Sequence, residues 1–97
     1  MLVLHKSLKG VKKVEKIVVH LQDGIQARKA TEFVQIASSF VSEISLIKDE
    51  KSVDAKSIMG VMSLAIRKGE EVAIITNGND EQKAVVVLGD FLLSENY

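Results

Sequence analysis

Two short stretches of this sequence put chemically capable side chains where a loop gives way to a helix. They are Asp23-Gly24-Ile25-Gln26-Ala27-Arg28-Lys29-Ala30 and Ala55-Lys56-Ser57-Ile58-Met59-Gly60. A helix start presents unpaired N–H groups and about half a positive charge, so each junction suits an anion such as phosphate. In the first, Gln26 stands at the helix start and Arg28 and Lys29 fall in its first turn. Cations there oppose the dipole, which leaves two readings: a solvated basic face, or charges retained for something that binds. In the second, Ser57 is placed as an N-cap. A capping serine contributes about 1 kcal/mol and commonly does nothing else. The residues after it are less ordinary, because Ile58, Met59, Val61 and Met62 crowd one short helix with more apolar surface than one buried stripe requires. A core can absorb Val61 and Met62. Ile58 and the flexible Met59 then remain for contact with partners.

Other chemistry is scarce. The chain has no cysteine, which removes disulfides, thiolate catalysis and zinc–cysteine sites. His5 and His20 are far apart, and His20 sits in a strand-like run without a ligand pattern, so no metal or other cofactor is expected. Asp23, Asp49, Asp54 and Asp80 are scattered turn or strand-end carboxylates with neither base nor nucleophile beside them, which argues against an enzyme. Thirteen basic residues balance thirteen acidic ones, whereas a nucleic-acid binder normally carries a basic excess. One Tyr, three Phe and no Trp make a poor base-stacking platform.

Ninety-seven residues with 46% hydrophobic and 27% charged content suit one two-layer domain. The apolar run in MLVLHKSLKG is too short for a signal peptide, and no segment approaches a membrane span, so the protein reads as cytoplasmic. Residues 1–14 are apolar, then basic, and read as an N-terminal extension to a domain at 15–97. From Glu15 to Leu21 the β-branched residues Ile17, Val18 and Val19 predict a strand, closed by Asp23-Gly24. Ala27, Ala30, Phe33, Val34, Ala37 and Phe40 recur at helical spacing and predict a helix over 27–39. Strands follow at Glu43–Ile47 and Lys51–Val53 around a Lys48-Asp49-Glu50 turn. Ser57 opens a short helix that Gly69 helps to end, and Glu71–Thr76 is a strand closed by Asn77-Gly78. A last helix spans Asp80–Leu93. Asn79 and Gln82 suggest its capping box, and Ala84, Val87, Leu88 and Phe91 its buried stripe. The order β-α-β-β-α-β-α suits an α+β sandwich, one antiparallel sheet with helices on one face.

With both junctions in view, the chain resembles the HPr family of the bacterial sugar phosphotransferase system. Lys56-Ser57-Ile58-Met59-Gly60-Val61-Met62-Ser63-Leu64 is similar to that family's regulatory-serine segment, and Gly24-Ile25-Gln26-Ala27-Arg28-Lys29-Ala30 to its active-site motif Gly-Ile/Leu-His-Ala-Arg-Pro-Ala. The spacing of the two motifs fits across about residues 14–95. The resemblance implies an open-faced sandwich of four antiparallel strands under three helices. It also places Gln26 where the family has its phosphorylatable histidine. A glutamine amide has no basic nitrogen to accept a phosphoryl group, so the resemblance implies regulation without histidine phosphotransfer. Ser57 would be modified by HPr kinase/phosphorylase using ATP, and the product would act as corepressor of a LacI-type catabolite control protein. The implied docking surface is Arg28, Lys29, Lys56, Ile58, Met59 and Met62, with Lys29 a departure from the family's proline.

Two other readings remain. One is a divergent HPr paralogue that regulates a metabolic enzyme through the same Ser57 face. The other is a small RNA-binding domain, for which Lys6, Lys9, Lys12 and Lys13 supply a basic arm but the domain itself supplies no excess charge. Direct DNA binding and membrane contact are not expected. If the first strand lies at a sheet edge, residues 1–14 could add to it or exchange between two copies to give a homodimer.

Overall fold

Alternating apolar and polar residues decide which segments become strands, and the helical spacing between them decides what covers the sheet. In the computed structural model, which describes residues 12–94, the elements are β1 (Lys13–Val18), α1 (Ala27–Ser38), β2 (Glu43–Lys48), β3 (Lys51–Asp54), α2 (Ile58–Ser63), β4 (Glu71–Asn77) and α3 (Glu81–Leu93). The strands form one antiparallel sheet in the order β1-β4-β2-β3, which leaves β1 at an edge. Ile44 and Leu46 of β2 and Val72, Ile74 and Thr76 of β4 are buried beneath the helices. Ser45, Ile47, Ala73 and Ile75 alternate with them and point to the other face. Three helices thus cover one face of a four-stranded antiparallel sheet, the architecture that the resemblance implies.

The core between the layers is aliphatic with one aromatic pair. Phe33, Leu46, Ile74, Leu88 and Leu92 lose essentially all exposure. The rings of Phe33 and Phe91 lie 5.9 Å apart at 55°, a tilted arrangement that joins α1 to α3. Truncating a side chain of this kind costs roughly 3–5 kcal/mol, so these residues hold the helices over the sheet.

The differences from expectation have local causes. Lys13 and Val14 are already paired with Thr76 and Ile75, so β1 takes in two residues that read as extension. It ends at Val18, which leaves His20 in the following connection, where its N–H donates to the Leu92 carbonyl at 2.8 Å. His5 lies outside the described residues, as do residues 1–11 and 95–97. In α3 the buried residues are Ala84, Val85, Leu88, Gly89 and Leu92, while Val87 and Phe91 are half-buried. That helix faces β1 and β4 on one side and α1 on another, so its covered face is turned from the stripe expected at Ala84, Val87, Leu88 and Phe91. The expected capping box does not form either. Asp80 is the N-cap, without a side-chain cap bond, because its carboxylate accepts from the backbone of Val41 and Ser42. Glu81 closes the turn instead, accepting from the Gly78 N–H at 2.9 Å. Among the described residues no helix is long and apolar enough to cross a membrane.

Candidate functional site: two helix starts and the face between them

At the second junction the chain leaves β3 and turns sharply. The Asp54 carboxylate accepts from the Lys56 N–H at 2.9 Å and the Asp54 carbonyl from the Ser57 N–H at 3.0 Å. This turn holds Ser57 in extended conformation, where its hydroxyl oxygen accepts from the Gly60 N–H at 3.1 Å. Ser57 is therefore the N-cap of α2. Its hydroxyl is half-buried, held at the start of the helix by one neutral hydrogen bond. The neighbouring Lys56 ammonium donates to the Phe40 carbonyl at 2.8 Å, tying this loop to the end of α1.

A six-residue helix cannot hold itself, and the far end of α2 shows what does. The Lys48 ammonium donates to the carbonyls of Leu64 and Ala65 at 3.0 and 3.1 Å and pairs with Glu70 at 3.0 Å. A cation on the last carbonyls of a helix complements its dipole. The Arg67 N–H at 2.8 Å, followed by the Lys48 ammonium, holds the Glu70 carboxyl below its ordinary value. With both ends fixed, α2 buries Val61 and turns the rest outward. Met59 is 79% exposed, Ile58 41% and Met62 40%. Met62 thus joins the open face rather than filling core.

The Gln26 junction is built differently. Gly24 turns the chain at φ +67°, and a Cβ there would collide with the Ile66 carbonyl and the Arg67 backbone. Ile25 then donates its N–H to the Ile66 carbonyl at 2.9 Å, which sets the start of α1 beside the segment that follows α2. Gln26 is the N-cap of α1 but makes no side-chain cap bond, and its amide donates instead to the Asp23 carbonyl at 3.3 Å. The two cations of the first turn part company. The Arg28 side chain is 88% exposed and 3.9 Å from Glu32. That of Lys29 is only 19% exposed, 3.4 Å from Glu32 and 5.7 Å from the centre of the Phe91 ring. Lys29 thus lies along the groove between α1 and α3, while Arg28 at its border reaches into solvent.

Ser57 caps α2, Lys56 precedes it, and Ile58, Met59 and Met62 are exposed along it, while Gln26 and Arg28 belong to the start of α1, where Arg28 borders the groove between α1 and α3. Sequence reasoning missed Glu32, Lys48 and Glu70. Glu32 had a signal, being four residues beyond Arg28 and three beyond Lys29. Lys48 and Glu70 had none, since they meet only once the sheet is formed. Among the described residues no cluster of three His, Asp or Glu could hold a metal ion.

Comparison with known proteins agrees with this geometry. A family described as the PTS HPr component phosphorylation site matches residues 13–94. The HPr-like protein Crh of Halalkalibacterium halodurans is 55% identical over 83 residues, covering 84% of this chain and 99% of that one. The phosphocarrier protein HPr of Bacillus anthracis superposes with a TM-score of 0.83 at 43% identity, over 84% of this chain and 98% of its own. Bacillus subtilis Crh, whose crystal structure is described as a dimer with a swapping domain, matches with a TM-score of 0.68 at 50% identity. That match covers 80% of this chain and 90% of Crh. With the family matched from the first residue of β1 to the end of α3, this chain belongs to the HPr family.

Proposed function

We propose that this chain is an HPr-like regulatory protein of carbon catabolite repression, switched by phosphorylation of Ser57 and unable to relay phosphate on a histidine. The observation that carries the reading is the Ser57 hydroxyl, held at the start of α2 by one bond from Gly60 and bordered by the exposed Met59. In this reading HPr kinase/phosphorylase transfers the γ-phosphoryl group of ATP to the hydroxyl. The product adds close to two negative charges at a helix start without requiring a change of fold. A cation on the partner can pair with that phosphate while apolar groups cover Ile58, Met59 and Met62. Arg28, exposed in the first turn of α1, adds a second charged contact. Lys29 contributes by packing beside the Phe91 ring and by sharing Glu32. The partner is a LacI-type catabolite control protein, for which the phosphorylated chain serves as cytoplasmic corepressor without touching DNA. The names of the Crh relatives support the catabolite-repression setting.

Gln26 supports the second half of the reading, because its side chain offers only an amide, occupied with the Asp23 carbonyl. Intact-mass measurement after incubation with ATP and HPr kinase/phosphorylase should show one added phosphate on the chain and none on Ser57→Ala. An unmodified chain, under conditions in which the kinase modifies an ordinary HPr, would overturn the proposal.

A further inference from the structure

After α2 the chain turns on a residue ill suited to the turn. Two non-glycine residues among the described ones have positive φ, Asp49 at 57° and Ala65 at 49°. Aspartate is helped in that region by a short polar side chain that bonds locally, whereas alanine has no such help and is strained there. Glycine is the usual residue in a left-handed helix end. A conformation of this kind persists only where the surroundings hold it, and the Lys48 ammonium is placed to do so. It donates to the Leu64 carbonyl at 3.0 Å and to the Ala65 carbonyl at 3.1 Å. Those two carbonyls lie in the peptide planes on either side of the Ala65 Cα, so φ and ψ of Ala65 set their relative orientation. A cation bonded to both fixes that pair of torsions. Lys51 does not duplicate the contact, since its ammonium reaches only the Ser63 carbonyl, at 3.4 Å and ahead of the turn.

The turn also has a destination. Ile66, the next residue, presents its carbonyl to the Ile25 N–H at 2.9 Å, one residue ahead of the Gln26 cap. We propose that Lys48 is a positioning residue: by holding Ala65 left-handed it locks the end of α2 to the start of α1. The lock sets the exposed Ile58, Met59 and Met62 in a fixed relation to Arg28. Lys48 does this from β2, with a side chain only 17% exposed and an ammonium occupied by the two carbonyls and Glu70. It therefore acts through the backbone and not by touching a partner. The use of the lock rests on the docking reading, in which one partner meets both elements, but the lock itself does not.

Amide hydrogen exchange on the full, unphosphorylated chain tests the lock, read as protection at the Ile25 and Leu64 amides. Lys48→Met keeps the apolar stem and removes the donor, and should speed exchange at these two amides at least about tenfold more than in β4. Ala65→Gly relieves the left-handed turn, so combined with it Lys48→Met should have an effect of about threefold or less. Glu70→Gln leaves the carbonyl bonds in place and should also stay within about threefold. An effect of Lys48→Met that is equal with and without Ala65→Gly overturns the proposal. So does an acceleration spread evenly over the sheet, and so does a Glu70→Gln effect as large as that of Lys48→Met. Should Lys48→Met fail to fold, Ala65→Gly alone decides the matter. With Lys48 in place it should slow exchange at Ile25 and Leu64 by about threefold, and unchanged or faster exchange would overturn the lock. Ser57 stays unmodified throughout, so a chain that the kinase ignores leaves this test intact, and a failed lock leaves the serine switch standing.

Discussion

The two helix starts of this protein are alike in outline and opposite in chemistry. At Ser57 a hydroxyl occupies the cap position, bonds the Gly60 N–H and opens a short helix whose apolar residues face outward. At Gln26 the cap position holds an amide that turns away to the Asp23 carbonyl, and the longer helix behind it buries Ala30, Phe33, Val34 and Ala37. Both ends carry the same partial positive charge, so the dipole alone separates nothing. What differs is the nucleophile available, present at one start and absent at the other. The contrast extends to support: Lys48 and Glu70 brace the Ser57 helix from behind, whereas the Gln26 loop is locked against the Ile66 carbonyl.

The sharpest way to break this comparison is through the glycine at each junction. Gly24→Ala places a Cβ into the Ile66 carbonyl at positive φ and should cost about 2–4 kcal/mol, read from urea unfolding. Gly60→Ala meets the Ser57 oxygen and the Val53 Cβ at 3.3 Å inside a helix that favours alanine, so its effect should stay within about 1 kcal/mol. Equal costs would show that the Gln26 loop is not the rigid one.

Capping gives a smaller, better-defined difference. Ser57→Ala should lose about 1 kcal/mol, while Gln26→Ala, which removes no cap bond, should lose no more than a few tenths. Gln26→Ser sharpens the point, since a hydroxyl there can cap α1 and should stabilise by up to about 1 kcal/mol.

Acid should act on the braces rather than on either start. The Ser42 hydroxyl and the Val41 N–H hold the Asp80 carboxyl below its ordinary value, as the Arg67 N–H and Lys48 do for Glu70. A carboxylate whose pKa is lowered by folding stabilises above its unfolded value and loses that contribution as pH falls through the folded one. Stability should therefore be flat near neutrality and decline below about pH 4, and Asp80→Asn should flatten the decline. An unchanged acid limb in that variant would remove Asp80 from the account. The least effect is expected at Lys29. Lys29→Met should leave stability within about 1 kcal/mol, because Met keeps the apolar contact with Phe91 and the Glu32 carboxylate left behind stays hydrated at 39% exposure.

Much of this was legible in the sequence because it is local. The β-branched Ile17 and Val18, the spacing from Ala30 to Ala37 and Ser57 ahead of an apolar run each carry their own signal; the helix and the cap took their expected form, and the strand formed two residues earlier than expected and stopped at Val18. What was not legible depends on residues distant in the chain. Asp80 was drawn away from its helix by the backbone of Val41 and Ser42, so the Asn79–Gln82 box did not close. Lys29 reads as a free charge in sequence, yet the ring of Phe91 and the Glu32 carboxylate enclose it once α1 meets α3. Met62 could fill core or join the exposed side by its sequence alone, and a helix of only six residues buries Val61 and leaves Met62 40% exposed.

The most direct test of the serine switch is calorimetric titration of the LacI-type catabolite control protein with the chain phosphorylated on Ser57 and with the unmodified chain. Phosphorylation should tighten binding at least about tenfold, by pairing a desolvated phosphate with a cation on the partner, and Met59→Ala should weaken the phosphorylated complex. Equal affinities for the two forms would contradict the switch.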